Sequence, residues 1–261
     1  MTTLLDPPSR RVAAPAAPSQ AAASVTVLPP RWSYSPEYLR SLVEIAAAEL
    51  EGATAQEILT WALDKFHPRM CIAASMGDTV LAHMAGQIRE GVPVVFIDTG
   101  YHFAETIGTA DAVETVYPVN LLRIRPALSV EEQDDQYGAK LFERDPDLCC
   151  KMRKVEPLER GLAPYMAWAS GLRRDEAASR ADAQAIEWDA KRQRVKVNPL
   201  VAWTEADVDA YIAENGVLVN PLLSDGYGSI GCAPCTRRLL PGEDARAGRW
   251  AGQNKVECGI H

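Results

Sequence analysis

The chain is expected to fold as an α/β domain, a parallel sheet with helices on both faces. Short apolar runs at 70–74, 92–97, 120–124 and 165–170 alternate with segments of helical character. Capping signals stand where those helical segments begin. With 47% hydrophobic residues over 261 positions, there is material for one large core.

Each element has its own signal. Ser35-Pro36-Glu37 reads as an N-cap, a first-turn proline and a first-turn acid, opening a helix to Leu50-Glu51 that stops at Gly52. Thr54-x-x-Glu57 is a capping box for a second helix through Phe66. The run 70–74 reads as a buried strand, followed by the loop Ser75-Met76-Gly77-Asp78 and a helix from Thr79. The run 92–97 is a second strand ended by Asp98-Thr99-Gly100; 103–116 is helical and 120–124 is a third strand. Open α/β sheets bind ligands beyond the carboxyl ends of their strands, so loops 75–78 and 98–102 should face one crevice. Asp145-Pro146 starts a helix carrying Cys149 and Cys150, and strand 165–170 delivers Gly171-Leu172-Arg173-Arg174-Asp175. Thr204-x-x-Asp207 opens a helix ending near Gly216, and Gly, Pro and Ser mark loop from Asn220 onward. Residues 1–34, rich in Ala, Pro and Ser without a continuous apolar stretch, read as a disordered leader rather than a secretory signal. The expected organisation is therefore leader 1–34, domain 35–240 and a mobile C-terminal tail 241–261.

Charge and cysteine usage narrow the function. Net charge is −8, from 27 basic and 35 acidic residues, which argues against nucleic acid as the main partner while leaving room for a local anion pocket. No stretch approaches the roughly 20 apolar residues of a membrane span. Four of six cysteines stand as Cys149-Cys150 and Cys232-x-x-Cys235. In a cytoplasmic protein such a quartet holds zinc or an iron–sulfur cluster, with disulfide pairing as the alternative. Neighbouring thiolates on one zinc strain the backbone, whereas a cubane spreads its irons and favours the cluster; sequence does not settle the type. Cys258 lies on a Gly-containing tail and is placed like a mobile nucleophile; Cys71 reads as core.

Three motifs carry a family resemblance. Cys-Cys-x-x-Arg-Lys-x-x-Pro-Leu (149–158), Gly-Tyr-x-Ser-Ile-Gly-Cys-x-Pro-Cys-Thr-Arg (226–237) and Glu-Cys-Gly-Ile-His (257–261) resemble the assimilatory adenylyl-sulfate (APS) reductases. These form the iron–sulfur branch of the phosphoadenylyl-sulfate (PAPS) reductase family. The resemblance runs from about residue 40 to the end. It implies a PP-loop, adenine-nucleotide-alpha-hydrolase-like fold and a [4Fe-4S] cluster on Cys149, Cys150, Cys232 and Cys235. It also implies reduction of APS to sulfite and AMP in sulfate assimilation and cysteine biosynthesis. Cys258 is then the nucleophile that forms an S-sulfocysteine, discharged by thioredoxin.

The same resemblance assigns the remaining site residues. Lys154 corresponds to a lysine between cluster and substrate; Arg173, Arg180, Arg246 and Arg249 match phosphosulfate-binding positions, for which guanidinium forks are suited. His261 is expected to pair with the anion. Ser75 stands in the place of the phosphate-cradling loop, but this loop has one glycine where ATP-using relatives have several, so it should bind nucleotide without hydrolysing ATP. Ile97-Asp98-Thr99-Gly100 resembles a segment lying along adenosine, with Asp98 equally readable as a strand-end cap. Gly171 permits close approach of nucleotide to backbone. His67, His83 and His102 read as ordinary surface or packed residues. The alternatives are a PAPS or dual reductase, a PP-loop tRNA-thiolating enzyme, which needs an ATP loop and a basic face, and a non-catalytic metal module, which leaves the Cys258 tail unexplained. Homo-oligomerisation stays open.

Overall fold

Residues 34–252, 255 and 257–260 are described by the structure, a computed structural model. The expected leader lies, but for Tyr34, outside them. Helix α1 (Pro36–Glu49) starts where the Ser35 hydroxyl accepts the Tyr38 N–H at 3.2 Å. Helix α2 (Ala55–Phe66) carries both halves of the Thr54/Glu57 capping box. Then come β1 (Met70–Ala74), α3 (Val80–Ile88), β2 (Val92–Ile97), α4 (Ala104–Val116) and β3 (Val119–Ile124). Helices α5 (Val130–Tyr137), α6 (Leu141–Arg144), α7 (Pro146–Cys150) and α8 (Glu156–Leu162) precede β4 (Ala167–Ser170). A hairpin of β5 (Ile186–Asp189) and β6 (Arg194–Val197) is followed by α9 (Glu205–Asn215), which ends at Gly216 in the left-handed conformation.

The strand order is β3-β2-β1-β4-β6-β5. Strands β3, β2, β1, β4 and β6 pair in parallel, while β5 pairs antiparallel with β6. The parallel sheet expected from the sequence thus carries one antiparallel edge strand. A strand joined to its neighbour by a tight turn must run antiparallel to it, and the 186–197 hairpin is absent from the sequence expectations. Between β1 and β4 the order reverses, and such a switch point opens a crevice at the carboxyl ends of the two strands. The loops 75–78 and 171–175 therefore flank one opening.

Strand alternation separates two cores. Met70 and Ile72 of β1, Val94 and Phe96 of β2, and Ala167 and Ala169 of β4 join the main core with α1, α2, α3, α4 and α9. Cys71, Val95 and Trp168 point the other way and pack with Leu158 and Leu162 of α8 and with Tyr165. No helix among the described residues is long and apolar enough to cross a membrane.

Candidate active site

The crevice is a cavity of about 1160 Å³. Ser75, Ile97, Thr99, Lys154, Gly171, Arg173, Arg180, Arg246, Arg249 and Cys258 all line it; His261 lies outside the described residues. The loop after β1 is held from across the chain. Asn220 donates its side-chain N–H to the Met76 carbonyl at 3.1 Å, and its backbone N–H to the Gly77 carbonyl at 2.8 Å. Asp78 accepts the Val80 N–H at 3.2 Å at the start of α3, and burial pushes its carboxyl up from the usual range. At Gly171 a Cβ would meet only Leu200 at an ordinary 3.9 Å, so no protein packing requires glycine there and the position stays open to a ligand.

Cations gather at the tail end of the cavity. Glu257 takes Arg180 Nη2 on Oε1 and Arg246 Nη2 on Oε2, both at 3.1 Å. Arg180 also pairs with Glu176, and Arg173 with Glu205. Arg249 donates to Ser229 Oγ at 3.2 Å and stacks over Trp250, 4.4 Å from the ring centroid. Gly231 makes that pose feasible, because a Cβ there would collide with the Arg249 guanidinium. Lys154 is buried; burial alone would lower its pKa, but Cys232, Cys258 and Cys150 favour the ammonium and the net shift is upward. The nucleophile candidate and the lysine therefore meet in one cationic pocket.

The lysine owes its position to a helix defect. Between α7 and α8 the chain makes a π-helical turn, Lys151–Val155. Pro157 follows in the first turn of α8. In an unbroken α-helix its ring would press on the carbonyl four residues earlier, that of Arg153, and the wider π turn removes the clash. Arg153 and Lys154 thereby enter the interior. Arg153 is a brace that the sequence reading did not single out. It donates to the Thr99 carbonyl at 2.6 Å and to Gln133 Oε1 at 2.9 Å, and lies 5.1 Å from the Tyr101 ring centroid.

The four thiols border a small recess beside the cavity, with Tyr101, Phe142, Pro146 and Pro234 as walls and Lys154 common to both spaces. None of the six cysteines is in a disulfide. Cys149 is pushed up to about 12 by burial and then by its thiol neighbours, and Cys235 to about 11 by burial and Cys232. A metal bound there must displace protons. The Thr99 hydroxyl is 3.3 Å from Cys232 Sγ, so this cavity-lining residue also touches the thiol site. Among the described residues no three His, Cys, Asp or Glu side chains converge as ligands of a single ion do. The donor set is all sulfur and is arranged around a recess.

Cys71 and His83 are not among the residues lining the cavity, whereas His102, expected to be an ordinary surface or packed residue, lines it. Cys71 is fully buried, and burial raises its thiol far out of reach of ionisation. His83 meets the Tyr211 hydroxyl at 3.1 Å, and His102 meets the Ile97 carbonyl at 2.8 Å beside Phe96. Glu257, quoted only as part of a motif, and the β5–β6 hairpin are the main omissions of the sequence reading. The hairpin had a signal in the alternation Ile186-Glu-Trp-Asp and Arg194-Val-Lys-Val.

Comparisons place the chain among known proteins. The phosphoadenosine phosphosulfate reductase domain family matches residues 67–238. The chain is similar to a Streptomyces coelicolor protein named adenosine 5'-phosphosulfate reductase, 60% identical over 225 residues that cover 86% of this chain and 95% of the relative. A Mycolicibacterium smegmatis protein of the same name is 53% identical, covering 85% and 94%. Among solved structures, phosphoadenylyl-sulfate reductase from Candida auris, in a phosphate complex, superposes with a TM-score of 0.65 at 31% identity, covering 78% of this chain and 98% of that one. Candida glabrata FMN adenylyltransferase, with a TM-score of 0.52 at 14% identity over 79% of this chain and 69% of its own, shares the fold alone. With the family match across most of the sheet and the thiol loops, this chain belongs to the phosphoadenosine phosphosulfate reductase domain family.

Proposed function

We propose that the protein reduces APS to sulfite and AMP in the cytoplasm, within sulfate assimilation, with thioredoxin as reductant and a [4Fe-4S] cluster on the quartet. The observation that carries this reading is the convergence of Cys258, Lys154, Arg180, Arg246 and Arg249 on one end of the cavity. The names of the relatives at 60% and 53% identity support the substrate. Cys258 Sγ, as thiolate, attacks the sulfur of APS. The S–S bond forms as the bond from sulfur to the AMP phosphate oxygen breaks, and AMP leaves with that electron pair. Two arginines already grip the carboxylate of Glu257, so the same forks suit the phosphosulfate oxygens once Glu257 gives way. Lys154 offsets the charge of two approaching anions. A thioredoxin dithiol then attacks Cys258 Sγ, sulfite departs, and the mixed disulfide closes to oxidised thioredoxin; the two electrons come from the dithiol. For that hand-over the tail must leave the cavity, which is the mobility expected of residues 241–261.

The thiols suit a cluster better than zinc, because they ring a recess and two are consecutive on one helical turn. Such a cluster, when bound, supplies fixed charge beside Lys154. The carboxylates of Asp175 and Asp209 on the cavity wall, which no ion pair among the described residues neutralises as Arg180 does Glu176 and Arg173 does Glu205, are charges that the extra phosphate of PAPS would meet. The test is an anaerobic sulfite assay with thioredoxin, supplying APS and then PAPS. Sulfite from APS is the expected result, and sulfite from PAPS alone, or from neither, would overturn the assignment.

A further inference from the structure

We infer that Arg192, in the turn between β5 and β6, is a latch for the C-terminal tail and thereby a positioning residue for Cys258; its catalytic consequence rests on the nucleophile reading above. Arg192 Nη2 donates to the Ile260 carbonyl at 3.2 Å. The guanidinium is also held by partners within the domain itself. It pairs with Asp189 Oδ2 at 3.0 Å, with the two side chains only 6% and 8% exposed, and lies 5.5 Å from the Trp168 ring centroid. Asp189 is fixed in turn by the Arg192 N–H at 3.0 Å and Trp168 Nε1 at 3.3 Å. A donor already ordered by its neighbours loses little entropy on forming one more bond. The Ile260 side chain packs against the second core, the cluster that includes Trp168 and Leu158. Gly259, at φ +76°, provides the turn between the nucleophile and this anchor.

Cys258 is thus held from both sides, and the two holds differ. Glu257 binds Arg180 and Arg246, the groups assigned to the substrate anion, so substrate and Glu257 compete. Lys255 pairs with Asp147, whose side chain is 86% exposed, and such pairs contribute little. Arg192 is not among the residues lining the cavity and Ile260 closes its edge, so this contact persists when the anion displaces Glu257. The latch keeps the thiol over the cavity at the moment of attack.

The experiment uses the holoenzyme with Arg192→Ala, Arg192→Lys, Ile260→Gly and the Arg192→Ala/Ile260→Gly double variant. Two quantities are read: alkylation of Cys258 by iodoacetamide without nucleotide, mapped by mass spectrometry, and the AMP burst from APS without thioredoxin. Arg192→Ala should speed alkylation and slow the burst at saturating APS by about tenfold, the scale of one charge-assisted hydrogen bond, and Ile260→Gly should act in the same direction through its lost apolar contact. Half-saturation by APS should be unchanged, and Arg192→Lys should fall between. The double variant should exceed either single change, because Arg192→Ala removes the hydrogen bond to the Ile260 carbonyl and Ile260→Gly removes the side-chain packing. Wild-type alkylation in folded Arg192→Ala and Ile260→Gly, even with a lowered Tm, would overturn the latch. Should Arg192→Ala fail to fold, Arg192→Lys decides, since it keeps a cation for Asp189 while losing the fork that reaches Ile260, and wild-type alkylation in it would overturn the latch. If the wild type releases no AMP from APS, the function reading fails, while the alkylation rates still judge the latch.

Discussion

On one face of the sheet, five helices bury a continuous core that includes Leu59, Leu63, Phe66, Met70 and Phe96. On the other, the buried cluster is Cys71, Val95, Leu158, Leu162, Tyr165 and Trp168, completed in part by Ile260 of the tail. Burying a large apolar side chain contributes about 1.5–3 kcal/mol, so the first face carries most of the folding energy. The second face is finished by a segment that the proposed chemistry requires to move. Thin packing there is what allows a tail to dock and leave without unfolding the domain. The thiol recess and the π turn, beside this second core, are ordered by polar and charged contacts, such as those of Arg153 with Thr99 and Gln133, instead of by apolar burial.

Substitutions on the two faces should therefore separate activity from stability. The largest effect is expected for Cys258→Ser. Wild type mixed with APS, without thioredoxin, should release about one AMP per site and stop, with a sulfonate on the Cys258 peptide. The variant should release none while keeping iron content and Tm; full turnover by Cys258→Ser would refute the nucleophile. On the heavy face, Leu63→Ala should lower unfolding free energy by about 2–5 kcal/mol through cavity formation. Denaturation of the holoenzyme should register that loss with iron still bound. Cys232→Ser should do the reverse, losing iron and acid-labile sulfide with a smaller loss in Tm; one zinc per wild-type chain and no sulfide would refute the cluster.

A smaller effect is expected within the anion pocket. Arg180→Ala and Arg246→Ala should each cost about 1.5–3 kcal/mol in kcat/KM for APS. Glu257→Gln should tighten APS binding, since it removes the competing carboxylate, and unaltered KM in that variant would show no competition. The smallest effect concerns Glu243, whose carboxyl is held down to about 2 by the Arg237 fork and then by the Leu240 N–H. Its folded pKa lies below its unfolded 4.5. Its contribution is therefore whole above about pH 4.5 and disappears as pH falls toward 2. Glu243→Gln should flatten acid unfolding across that window, and an identical acid limb in the variant would contradict it.

Helix starts at Ser35, Thr54 and Thr204, the strands at 70–74 and 92–97, and the cysteine motifs were all readable along the chain. Each depends on residues within a few positions of one another, where capping and alternation act. The hairpin of β5 and β6 was missed because its strands are only four residues each, too short for their alternation to stand out. The brace made by Arg153 was invisible because its partners, Thr99 and Gln133, lie 54 and 20 residues away.

By itself, then, the sequence determined the helix caps, the period of the strands and the donor types of the site, since these are properties of neighbouring residues. The tertiary structure alone decided that the order of strands reverses beside β1, that β5 runs antiparallel, and that Arg180 and Arg246 share the carboxylate of Glu257. Those outcomes depend on which distant groups the folded sheet brings within bonding distance, and no local pattern encodes a partner 77 residues away.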